Sequence, residues 1–214
     1  MTNPPLFYCG LDLGKLQDYT AFVVVEYRHA YLGRDAVTFQ HLYDWDLRVR
    51  RLHRFPLGTS YRDLIGLIEH EMRHRALPRD TPLVIDASGV GEVMVDLFKG
   101  SAFPVVPVTI TGGDRASLSN GRWRVPRQLL AETLAVLIEQ EKLGVVADLP
   151  YARTLLEELA SFDAEIRPTA RVSFRPRGEQ QHDDLVMALA LACWYFRKLN
   201  PPVPSPAAMR LPFP

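Results

Sequence analysis

Four aspartates, Asp12, Asp86, Asp183 and Asp184, stand where local rules would not put a charge. Asp12 lies inside an apolar stretch, Asp86 ends Leu83-Val84-Ile85, and the Asp183-Asp184 pair adjoins a long apolar run. Each has an ordinary explanation. Asp12 could open a turn, Asp86 before Ser88-Gly89 could do so at a strand end, and the pair could complement the N-terminal dipole of a helix. Taken together they pose a different problem, because carboxylates brought close repel and raise one another's pKa unless a cation neutralises them. Oxygen donors of this kind suit magnesium or manganese. Two such ions about 3.5–4 Å apart, bridged by a shared carboxylate, activate a water for in-line attack on phosphorus and stabilise the departing oxygen, without a cysteine or histidine nucleophile.

A second constellation competes. His70-Glu71-Met72-Arg73-His74 satisfies H-E-x-x-H, which on a helix sets two histidines one turn apart for zinc, with Glu71 as general base and Glu92 as a further ligand. That reading is a zinc metalloprotease. Against it, Glu69, Arg73 and Arg75 surround the motif with charge, while Leu64, Ile65, Ile68 and Met72 form the buried stripe. Metal preference separates the two, since a nuclease wants magnesium or manganese and a protease zinc.

Twenty-five basic residues balance twenty-five acidic ones, so net charge says nothing about nucleic acid and only local clustering can. Arg115, Arg122, Arg124 and Arg127 share a segment with only Asp114, and Arg167, Arg171, Arg175 and Arg177 precede the aspartate pair. The expected DNA-contacting set is Lys15, Arg122, Arg124, Arg127, Arg175 and Arg177, giving sequence-independent, salt-sensitive binding to phosphates. A solvated loop is the alternative for either cluster, and Lys15 could be only a turn residue. Trp123 could touch sugar or base, or pack.

The elements that must position these residues follow from periodicity. Residues 6–13, 20–27 and 37–45 read as strands joined as an antiparallel meander. In the first, Tyr8, Gly10 and Asp12 share one face and Phe7, Cys9, Leu11 and Leu13 the other, with Gly10 leaving room beside Asp12. A helix over 61–76 follows behind Thr59-Ser60 as cap, then a strand at 82–87, a helix at 90–98 and a strand at 103–110. Pro126 opens a helix to 141, and another covers 151–160. Residues 162–166 and 171–174 are expected to pair as a hairpin, before a buried helix over 183–199. The whole is an α/β mixed sheet flanked by helices, with residues 6–199 as one domain, 1–5 as a linker remnant and 200–214 as a proline-rich tail.

Cys9 and Cys193 sit in apolar runs and read as core residues of a reducing compartment, not a disulfide framework. The longest apolar run, 185–196, is too short for the roughly 20 residues of a membrane span, and the expected location is cytoplasmic, with no membrane partner.

Three stretches resemble the nuclease domain of the large terminase subunits of tailed phages, within the ribonuclease H and Holliday-junction resolvase superfamily. They are Gly10-Leu11-Asp12-Leu13-Gly14 with Asp18-Tyr19-Thr20-Ala21, Val84-Ile85-Asp86-Ala87-Ser88-Gly89-Val90-Gly91, and His182-Asp183-Asp184-Leu185-Val186-Met187-Ala188. Their order and separation match, and Trp123-Arg124-Val125-Pro126-Arg127 is similar to a family segment too. The resemblance implies a ribonuclease H-like sheet and a two-metal-ion DNA endonuclease. Asp12 would be its bridging ligand, with Asp86 and Asp183 or Asp184 flanking. It also implies double-stranded DNA and an ATPase motor with other packaging components as partners, in the host cytoplasm. Because G-x-x-x-x-G-K-[ST] does not occur here, ATP-driven packaging would need a motor outside this sequence. Two further readings stand beside these. A nucleotide-binding fold of the actin and sugar-kinase type needs two such domains, and a non-catalytic DNA-binding or assembly module would keep the fold without cleavage.

Overall fold

The computed structural model describes residues 6–14, 18–34, 37, 39, 41–74, 77–89, 91–166 and 182–201. Lys15, Arg167, Arg171, Arg175, Arg177, the strand expected at 171–174, the linker at 1–5 and tail residues 202–214 lie outside the described residues.

Stiff β-branched and aromatic side chains in Phe7–Asp12 (β1) and Thr20–Arg34 (β2) favour extended backbone, and with His41–Phe55 (β3) they form the expected antiparallel meander. The third strand begins at His41 and not at Val37, and it runs ten residues past Trp45 to Phe55. Its second half hides behind charge: Leu47, Val49 and Leu52 are buried among arginines, and a register shift at Arg50 breaks the period of two between Val49 and Leu52.

Leu83–Asp86 (β4) lies parallel to β1 and Val105–Thr111 (β5) parallel to β4. The central order β3-β2-β1-β4-β5 is the ribonuclease H-like mixed sheet. Three strands extend it among the described residues: Ser117–Ser119 (β6), Arg122–Pro126 (β7) and Leu143–Val145 (β8), giving the order β6-β7-β5-β4-β1-β2-β3-β8. None of the three was expected, although Asn120-Gly121 between β6 and β7 is a strong hairpin signal, and both residues take the positive φ (51° and 74°) such a turn needs. Pro126 pairs with Thr111 as the last residue of β7, so the following helix starts one residue later than the sequence suggests.

Helices cover both faces. Tyr61–His74 (α1) and Gly91–Leu97 (α2) pack on the face of Cys9, Leu11 and Ile85. Ser60 caps α1, its Oγ accepting the Asp63 N–H at 3.2 Å and donating to the Asp63 carboxylate at 2.7 Å. Arg127–Glu139 (α3), Ala152–Ile166 (α4) and Asp184–Leu199 (α5) pack on the face of Tyr8, Val23 and Val84. Residues 162–166 therefore continue α4 and do not form a strand. Leu155, Glu158 and Phe162 fall at helical spacing and all are buried, so the apolar stripe carries the helix through.

As expected, α5 is buried on nearly every side, with Leu185, Leu189 and Leu191 fully enclosed. Each such leucine contributes roughly 1.5–3 kcal/mol relative to exposure. The helix lies so close to β1 that a Cβ on Gly10 would sit 1.8 Å from the Ala188 carbonyl oxygen. Gly10 thus makes room for a helix backbone. Cys9 and Cys193 are free and buried. No helix among the described residues is long and apolar enough to cross a membrane.

Candidate metal centre

The parallel register of β1 and β4 pairs Gly10 with Val84 and Leu11 with Ile85, so Asp12 and Asp86 stand side by side one step further on. Alternation puts both on the face of Tyr8 and Val84, the face that α5 covers. Asp184 opens α5 one turn before Ala188, the residue in contact with Gly10, and Asp183 precedes it. The chain thus brings the four predicted aspartates to one end of the sheet, from two strands and a helix start far apart in sequence.

Their charges feel one another. Asp12 is half-buried, and burial, then Asp86, Asp184 and Asp183 in that order, pushes its pKa well above the usual carboxylate range, with Arg127 opposing. Burial also raises Asp184, opposed first by Arg54 and then by His182, with Asp183 and Asp18 adding to the rise. Asp86 Oδ1 accepts the Ser88 N–H at 2.8 Å, and Ser88 Oγ accepts the Ile110 N–H at 3.0 Å, which ties the end of β4 to β5.

Arginines hold the aspartate pair. Arg127 meets the Asp183 carboxylate, lies over the Phe162 ring at 5.1 Å from its centroid and approaches Met187 Sδ at 3.3 Å. Arg54 Nη2 lies 3.0 Å from Asp184 Oδ2, also pairs with Glu158, and stacks over Tyr19 at 4.7 Å from its centroid. Tyr19 in turn meets His182 edge-on. Glu158 completes the set: its Oε2 accepts the N–H groups of Leu185 at 3.0 Å and Val186 at 3.1 Å, at the start of α5. Burial pushes the Glu158 carboxyl up to about 7, against the Val186 N–H and Arg54.

Do these residues fit divalent cations? Among the described residues no group of three or more His, Cys, Asp or Glu side chains is gathered tightly enough to hold a metal ion. The donor chemistry nonetheless fits. The oxygens are hard and crowded by like charge, and Asp184 Oδ2 is buried without a hydrogen bond, its contact with Arg54 being one of charge and not of alignment. A cation drawing Asp184 and Asp183 from their arginines would relieve the repulsion around Asp12.

The other predicted residues divide. Arg127 belongs to the aspartate cluster itself. Arg122 pairs with Glu92 at 2.8 Å, and Arg124 is exposed on β7. Trp123 packs edge-on against Trp194 with Lys198 over its ring, so it is a packing residue. In the H-E-x-x-H segment, His70 is exposed on α1 and Glu71 is ion-paired with Arg51 of β3, an arrangement unlike a zinc site walled off from water. Arg54 and Glu158 are the residues that the aspartate pattern alone does not reveal. Their signal is a charge at an inward position: Arg54 shares the face of Leu52, and Glu158 stands in the stripe of Leu155 and Phe162.

No family model matches the chain. In sequence it is similar to the terminase large subunits of Thermus phage G20c and Thermus virus P23-45, each 27% identical over 194 residues, or 89% of this chain. The chain spans about a third of the length of these curated relatives, 32% in each case. In structure it is similar to the large terminase nuclease of the thermophilic phage G20c, solved with bound magnesium. That match has TM-score 0.51 and 22% identity, covering 88% of this chain and 80% of the other. The same nuclease with bound zinc matches at TM-score 0.50 and 23% identity over the same shares. The terminase nuclease domain of human cytomegalovirus matches at TM-score 0.51 and 14% identity, over 88% of this chain and 82% of that one. The chain has the fold of terminase nuclease domains.

Proposed function

We propose that this chain is a metal-dependent endonuclease module that hydrolyses DNA phosphodiester bonds, the cutting part of a terminase-like DNA-packaging machine. The observation that carries the reading is the meeting of Asp12, Asp86, Asp183 and Asp184 at one end of a terminase-nuclease fold. Asp12 and Asp86, on adjacent parallel strands, would hold magnesium or manganese from the sheet, with Asp12, which interacts with all three other aspartates, as the central ligand. Asp184 is the better third ligand, since its Oδ2 is buried and lacks a hydrogen bond, whereas Asp183 is more exposed and engaged by Arg127.

Divalent cations in such a cluster lower the pKa of water and stabilise charge on phosphoryl oxygens. The chain's own groups orient the rest. Arg127, paired with Asp183 beside the cluster, would meet a phosphate bound there, and Arg124, exposed on β7, neutralises backbone phosphate without reading sequence. Lys15, Arg122, Arg175 and Arg177 complete the proposed DNA-contacting set. The partners are double-stranded DNA and an ATPase motor, and the setting is the host cytoplasm. Zinc binding by itself would not favour a protease, since a similar nuclease has been solved with zinc.

The test is nicking of supercoiled plasmid with manganese or magnesium. Asp12→Ala and Asp86→Ala should each abolish it while circular dichroism stays that of the parent. Cleavage retained in both variants refutes the assignment.

A further inference from the structure

A helix that starts with two acidic residues ordinarily uses one of them to cap itself: the side chain preceding the first turn accepts the N–H groups that lack an intrahelical partner. Helix α5 does not. Asp183 occupies the cap position with φ −130° and ψ 20° and makes no side-chain cap hydrogen bond. The capping acceptor comes from another helix, for Glu158 of α4 takes both the Leu185 and the Val186 N–H on one oxygen. Its second oxygen receives Arg54, whose Nη2 also lies 3.0 Å from Asp184 Oδ2. Glu158, Arg54 and Asp184 are 6%, 12% and 7% exposed as side chains, so little water competes for these contacts.

We propose that Glu158 is a positioning residue for the metal centre, capping α5 from outside so that Asp183 and Asp184 are released from capping, and restraining Arg54 so that Asp184 remains available to a cation. The metal half of this inference rests on the nuclease reading; the capping half does not. A carboxylate that supplied both functions would explain a charge set into the buried stripe of α4, where an apolar residue would pack at lower cost. The two functions also make different demands. Capping needs only an acceptor oxygen, which glutamine retains, whereas restraint of Arg54 needs negative charge, which glutamine lacks.

The experiment compares Glu158→Gln and Glu158→Ala with the parent chain, reading amide hydrogen exchange at Leu185 and Val186 and manganese affinity by titration calorimetry. In Glu158→Ala both amides should exchange faster, and Glu158→Gln should return them toward parental rates. Manganese should bind about 10-fold or more weakly in both variants, the usual loss when a group that orients a ligand is removed, because Arg54, now shared between Glu158 and Asp184, is then left with Asp184 as its anionic partner and competes with the cation for it. A Glu158→Gln protein with parental manganese affinity overturns the proposal, as do parental exchange rates in Glu158→Ala. A parent chain that binds no manganese sinks the nuclease reading, and the exchange data then still decide the capping half.

Discussion

Asp12 is the residue on which charge and fold conflict. Its pKa is raised by burial and by three neighbouring aspartates, so the folded chain holds that proton more tightly than the unfolded one does. The sign follows: without metal, the contribution of Asp12 to stability is greatest in acid and falls as pH rises from the unfolded value of 3.8 toward the elevated folded one, staying low above it. Asp12→Asn keeps the shape and removes the charge. At neutral pH without metal it should melt above the parent, by about 2–4 °C for each kcal/mol of repulsion relieved. The same variant should cleave DNA roughly a thousandfold more slowly, equivalent to the several kcal/mol a metal ion supplies at 1.4 kcal/mol per factor of ten. Scanning calorimetry in chelator and a nicking assay read the two halves. A lower melting point for the variant would show that Asp12 is not under repulsion. The glutamate at 158 and the arginine at 54 show the same rule in reverse, since each is a charge at an inward position whose partner only the fold supplies.

Among the elements, α5 and β1 decide whether a centre exists at all. Gly10 lets the helix backbone reach the strand, and the start of the helix then falls at the strand end where Asp12 lies. A methyl at Gly10 would meet main-chain atoms, Ala188 O at 1.8 Å and Ala188 C at 2.8 Å. Gly10→Ala should therefore cost about 1–3 kcal/mol or more through overpacking and shift Asp184 outward, weakening manganese binding as well. Because the collision is with backbone, Ala188→Gly should not rescue it. Urea denaturation with and without Ala188→Gly checks this, and a rescued double variant would mean that the side chain, not the carbonyl, sets the distance. The strands extend beyond the sequence pattern for a related reason. The second half of β3 and all of β8 pair over residues rich in charge or too few to show a period, so their pairing is made by neighbours.

For the molecule as a whole, a cation that binds only the folded state must stabilise it. Manganese at about a hundred times its Kd adds roughly 2.7 kcal/mol. For a chain of this size that should raise the melting temperature by about 5–10 °C. Chelator should reverse the rise, and Asp12→Ala together with Asp86→Ala should remove it; a melting temperature indifferent to manganese would count against a metal centre. The four aspartates, the meander, the alternating strands and helices and the buried last helix were all legible by themselves, because period and misplaced charge are local properties of a chain. Residues 162–166 read as a strand because Phe162, Ala164 and Ile166 alternate with Asp163 and Glu165, and only packing of the α4 stripe decides for the helix. Which residues accompany the aspartates was likewise decided by tertiary structure alone. Arg54 and Glu158 stand 104 residues apart, and a contact between side chains that distant leaves no periodic trace in either segment. The sequence by itself determined which groups carry charge into the interior. Only the folded chain determined which of them meet, because that depends on the register of β1 against β4 and on where α5 crosses them.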